Sequence, residues 1–99
     1  MPVYFLARGT IVDQAGHDGY VAAALPTLPA ECKVLSVDFQ TQPLEGELQH
    51  ARTVLLEFPS KASFRAWYDS PEYQKILPQR LNSVEGSAVL VEGFVPPAS

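Results

Sequence analysis

Cysteine occurs once in the 99 residues, as Cys32, which excludes a disulfide within the chain and fits a reducing compartment. No local pattern ties that thiol to a histidine, so it reads as a structural thiol near a strand start rather than a nucleophile. Basic residues are few as well. Seven Lys and Arg against eleven Asp and Glu give a formal charge of -4, and no Lys/Arg run forms the stripe that a phosphate backbone requires. Nucleic acid is not an expected partner. Long apolar runs are missing: Val3 to Ala7 follows Met1-Pro2 with no basic leader and is too short for a signal peptide or a membrane span. The expectation is a cytoplasmic protein without membrane association. Histidine is limited to His17 and His50, both in loop-like contexts with no second ligand at metal spacing, so neither a metal site nor haem is expected. Gly16 and Gly19 are too sparse, and lack the following lysine, to cradle a phosphate. No cofactor is expected, and there are no repeats or low-complexity tracts.

What remains is an ordinary globular composition, 46% hydrophobic and 18% charged. The length suits one domain, read as residues 1–95, with a flexible tail over 96–99. Val3 to Ile11 is rich in β-branched and aromatic residues and reads as a strand, ended by the turn or cap residues Asp13, Gly16 and Gly19. Tyr20 to Leu25 reads as a short helix bounded by Pro26 and Pro29. Lys33 to Gln40 alternates, with Leu35, Val37 and Phe39 on one face and Ser36, Asp38 and Gln40 on the other. Thr41 to Ala51, with Pro43 and Gly46, is a loop. Arg52 to Phe58 is a third strand, Val54, Leu56 and Phe58 facing one way and Thr53, Leu55 and Glu57 the other.

Ser60 caps a helix carrying Phe64, Trp67 and Tyr68 on one face, and Ser70-Pro71-Glu72 starts another. The residue before a proline avoids the helical region, so the chain breaks at Ser70. Tyr73, Leu77, Arg80 and Val84 form a stripe on the second helix, with Pro78 expected to kink it. Ser87 to Phe94 is the last strand. The order β-α-β-β-α-β specifies an α+β, ferredoxin-like domain: a four-stranded antiparallel sheet with the helices on one face. The bare face, expected to carry Leu55, Leu90 and either Leu6 or Phe5, exposes too much apolar surface for a monomer, so a homodimer is expected.

The stretches Leu56-Glu57-Phe58-Pro59-Ser60, Ala66-Trp67-Tyr68-Asp69-Ser70-Pro71-Glu72-Tyr73, Leu77-Pro78-Gln79-Arg80 and Val89-Leu90-Val91-Glu92-Gly93 closely resemble the bacterial family known as domain of unknown function 1330. The resemblance covers roughly residues 52 to 94. It implies a dimeric α+β barrel, in which two ferredoxin-like protomers bring their sheets together, within a superfamily that includes cofactor-free monooxygenases, muconolactone isomerases and haem-degrading enzymes. Many similar members carry a Gly-rich or Arg-Gly stretch in the second strand, where this chain has Leu35 to Phe39. The family has no established activity, so the resemblance bears on the fold more than on the function.

Two sets of residues are candidates for a site. Asp38, Glu57 and Glu92 are expected on the less apolar strand faces, joined by Arg8 if it shares that side. Converging carboxylates raise the pKa of at least one, so Glu57 or Asp38 is a candidate general base; the alternative is an ionic network at a dimer contact. Trp67, Tyr68 and Tyr73 are candidates for an aromatic pocket, with Tyr73, Arg80 and the Ser70 hydroxyl as polar handles. An arginine on a buried stripe needs an acceptor, either an internal acid such as Glu57 or the carboxylate or enolate of a ligand. The function expected is a cofactor-independent small-molecule binder or enzyme for a small acidic or carbonyl metabolite. The alternative is a non-catalytic dimeric module, and an internal cavity distinguishes the two.

Overall fold

Four strands, β1 (Val3–Ile11), β2 (Lys33–Asp38), β3 (Arg52–Phe58) and β4 (Val84–Glu92), pair antiparallel in the order β2-β3-β1-β4. The computed structural model describes residues 1–46 and 51–97. Helix α1 (Gln14–Ala24), continued by a 3-10 turn over Leu25–Thr27, joins β1 to β2, and helices α2 (Lys61–Tyr68) and α3 (Pro71–Ser83) join β3 to β4. This is the ferredoxin-like α+β arrangement, with the second crossover split into two helices. All of them lie on one face of the sheet, because Val3, Phe5 and Ala7 of β1 and Leu56 and Phe58 of β3 bury their side chains on that side.

The core is aromatic. Phe58 stacks on Trp67 with centroids 5.5 Å apart and meets Phe64 edge-on at 5.3 Å. Fully burying a side chain of this size contributes about 1.5–3 kcal/mol, so this cluster ties α2 to the sheet, and Tyr73 of α3 joins it against Trp67 at 4.2 Å. The helix starts agree with their capping residues. Ser60 Oγ accepts from Ser63 N at 3.0 Å, and Ser70 Oγ accepts from Tyr73 N at 3.2 Å while donating to the Trp67 carbonyl at 2.7 Å. Pro78 falls inside α3, which runs through it to Ser83.

Three expectations are corrected. Gly16 and Gly19 are not turn residues but lie inside α1, whose cap is Asp13, its carboxylate accepting from Gly16 N at 3.1 Å. A Cβ on Gly16 would stand 2.6 Å from that carboxylate and 3.2 Å from Ser83 Cβ, so glycine allows α1 and α3 to approach closely. Second, β2 ends at Asp38 and contains an irregularity between Val34 and Ser36. Leu35 is the residue left out of the pairing, so Val34 rather than Leu35 falls in phase with Leu56. Third, β4 begins at Val84, directly after α3, because β1 remains available for pairing back to Ile11. The pairing puts Leu90 opposite the core residue Phe5 and Glu92 opposite Val3, both on the helix side. Glu92 meets Lys61 there at 3.3 Å and does not join Asp38 and Glu57. The bare face carries Leu6, Leu55, Val89 and Val91, bordered by Tyr4, Arg8, Asp38 and Glu57. His50, part of the expected loop over 41–51, and residues 98–99 of the expected tail lie outside the described residues.

Candidate functional site

Between α1 and the helix-side face of the sheet lies a cavity of about 350 Å³. Its floor is Phe5, Ala7, Val54 and Leu56, its roof is Tyr20, Val21 and Ala24 of α1, and its mouth passes Val34, Val37 and Phe39 beside β2. The wall is almost entirely apolar. Trp67 closes the inner side, and three polar side chains, His17, Arg52 and Arg80, complete the lining. All three are buried, at 2%, 7% and 8% exposure.

The sequence places each of them there for a local reason. With α1 beginning at Gln14, His17, Tyr20, Val21 and Ala24 recur at helical spacing and share the face turned to the sheet. Arg52 opens β3 in phase with Val54, Leu56 and Phe58, so strand alternation directs it to the core side. Arg80 lies two helical turns after Tyr73 on the inner stripe of α3.

These polar groups are short of partners. Both ring nitrogens of His17, Nε of Arg52 and Nη1 of Arg80 are buried without a hydrogen bond among the described residues. No described carboxylate comes within ion-pairing distance of either guanidinium. Arg80 lies over the Phe5 ring at 5.6 Å, a cation–π contact that offsets part of its desolvation. Burial draws the Arg52 pKa down and Arg80's charge adds to that, while Tyr20 and Tyr73 act the other way. Burial lowers the His17 pKa too, the Arg52 charge lowering it further against the opposing effect of Asp18. The imidazole is therefore neutral near pH 7, able to accept a proton. Its ring meets Phe39 edge-on at 6.3 Å, at the mouth. Behind the roof, the hydroxyls of Tyr20 and Tyr73 are hydrogen-bonded at 2.8 Å, and burial, with Tyr20 beside it, raises the Tyr73 pKa.

Of the residues singled out from sequence, the fold brings Arg80 and Trp67 to the cavity and sets Tyr73 one hydrogen bond behind it. Tyr68 stacks on Phe64 at 5.3 Å in the aromatic core, and Ser70 is the cap of α3. Glu57 and Asp38 are on the other face of the sheet. Glu57 accepts from the Tyr4 hydroxyl at 3.2 Å and lies 3.7 Å from Lys33 Nζ; Asp38 accepts from Gln40 N at 2.8 Å. His17 and Arg52 were missed. His17 is legible once Asp13 is taken as a helix cap, and Arg52 by strand alternation, the counterpart of the helical stripe that marked Arg80 as unusual. Among the described residues no three His, Cys, Asp or Glu are grouped to hold a metal ion, and no helix is long and apolar enough to cross a membrane.

A ferredoxin-like domain holding an apolar cavity edged with two arginines and an imidazole is thus the class that fold and site define. The chain belongs to the family described as domain of unknown function (DUF1330), whose model matches residues 2–94. No curated protein matches it. In fold it is similar to RPA0582 of Rhodopseudomonas palustris, a protein of unknown function, with 18% identity and a TM-score of 0.74 over 96% of this chain and 84% of that one. It is also similar to SnoaB, a cofactor-independent oxygenase from Streptomyces nogalater, with 12% identity and a TM-score of 0.67 over 96% and 95% of the two chains. A dimeric ferredoxin-like protein of unknown function from Thermobifida fusca aligns at 19% identity and a TM-score of 0.63, over 91% and 89%. At these identities the likeness shows the fold alone.

Proposed function

We propose that this protein binds a small, largely apolar molecule bearing an acidic or carbonyl oxygen and moves a proton on it without a cofactor. The observation that carries this reading is the cavity: about 350 Å³ falls within the range of small-ligand pockets, whereas a purely structural module would fill its interior. The apolar wall takes the body of the ligand, and Arg80 with Arg52 faces its oxygen, stabilising charge that develops there. The proton acceptor is His17, neutral and unpartnered in the same wall. Glu57 and Asp38, across the sheet, belong in this reading to the rim of a dimer contact.

The homodimer is part of the proposal. Val89 and Val91 are 49% and 46% exposed and continue Leu6 and Leu55 across the bare face, an apolar patch that a second copy would cover. A panel of 3-aryl and 3-alkyl 2-oxopropanoic acids, each with a hydrogen on C3, in deuterated water tests the chemistry. Wild-type protein should catalyse exchange of the hydrogen next to the carbonyl, and His17→Gln should bind the same compounds without exchanging it. Equal exchange by both proteins would remove His17 from the role.

A further inference from the structure

Arg52 and Arg80 line the large cavity, and they also line a second, smaller pocket of about 70 Å³ at the end of α3, bordered by Arg8 and Ser87. They are the wall between the two. The pockets differ in character: the cavity offers almost no polar surface, whereas the small pocket mixes polar and apolar surface. Two adjacent guanidiniums, each more than nine-tenths buried and without a described carboxylate, carry far more donors than one ligand oxygen can use. Like charges held together away from water call for an anion, and the small pocket, lined by both on the side away from the cavity, is a second place where one reaches them.

We infer that the small pocket is a binding site for a carboxylate-sized oxoanion, held by Arg52 and Arg80. Its volume is about that of two waters at ~30 Å³ each, which admits a planar carboxylate and excludes the body of a metabolite. Guanidinium forks match the two oxygens of such a group. An anion there neutralises the wall and sets how strongly the same arginines act on the cavity side. The site stands on the geometry of this pocket and does not depend on the cavity ligand's identity.

The test uses the ¹⁵N-labelled full chain, following the arginine Nε–H resonances while formate is titrated against chloride at constant ionic strength. The inference expects saturable shifts of the Arg52 and Arg80 signals with formate and much smaller ones with chloride. Arg52→Lys, which keeps the charge but loses the fork, should weaken formate binding about tenfold. Arg8→Met, whose side chain lies on the opposite face of the sheet, should leave formate binding unchanged. Adding phenylacetate distinguishes the sources of the group: displacement of formate assigns the carboxylate to a cavity ligand, simultaneous binding assigns it to a free ion, and both uphold the site. Shifts that are linear, equal in formate and chloride, or unchanged in Arg52→Lys overturn it.

Discussion

Replacing Arg80 by methionine removes a buried charge while keeping most of the side-chain stem, and the surroundings of Arg80 determine the sign of the effect. Leaving a buried N–H without an acceptor costs about 1–3 kcal/mol, a cost the wild type carries at Nη1 and the variant does not. The variant loses the cation–π contact with Phe5, about 0.5–2 kcal/mol. It also relieves repulsion with Arg52, which burial already disfavours in its charged form. The balance is a gain of about 1 kcal/mol, or roughly 4–8 °C in melting temperature for a domain of this size. Arg52→Met should act in the same direction. Because either change relieves the shared repulsion, the double variant should gain less than the sum of the two, and urea or thermal unfolding of all four proteins in anion-poor buffer measures that coupling. A loss of 3–5 kcal/mol on Arg80→Met, recovered by neutralising an acid, would show a hidden carboxylate partner and refute the reasoning.

Three further outcomes follow from the same contacts. His17 is held below its unfolded pKa, so the stability it contributes is fully present above about pH 6.5 and is lost as pH falls through that value toward the lowered one. Melting temperature should therefore drop on acidification from neutrality more steeply for wild type than for His17→Gln, and parallel curves would contradict the burial of a neutral imidazole. Ser70→Ala should cost about 1 kcal/mol by removing the cap on Tyr73 N, and an unchanged melt would show that the hydroxyl is not capping. Leu55→Asp, on the bare face, should convert a sedimenting dimer into a monomer with its far-ultraviolet spectrum intact; a wild-type monomer at micromolar concentration would end the dimer proposal.

The strands and the two later helices were legible because their signals are local: alternation at Val54, Leu56 and Phe58, and caps at Ser60 and Ser70. The site was legible in one residue of its polar set. Arg80 stood out as a charge on an apolar stripe, and the same logic applies to Arg52. His17 was hidden by helix propensity, since two glycines within α1 argue for a turn until the packing of α1 on α3 is known. The separation of Glu57 and Asp38 from the cavity follows from strand phase, but Glu92 changed sides because the register with β1 pairs it with the core residue Val3, as it pairs Leu90 with Phe5. One residue of shift is enough to invert a strand's faces, and an irregularity such as that at Leu35 leaves no mark in composition.

The most direct measurement of the central claim is ligand occupancy of the cavity, read from the fluorescence of Trp67 in its wall. Titrating wild-type protein with aryl 2-oxo acids and their uncharged, oxygen-free analogues should give a saturable change for the acids and a weaker one for the analogues. Ala24→Phe, which extends a side chain from the roof into the void, should fold normally and lose the response. A saturable response that survives Ala24→Phe, or no response to any compound in wild-type protein, would contradict the account.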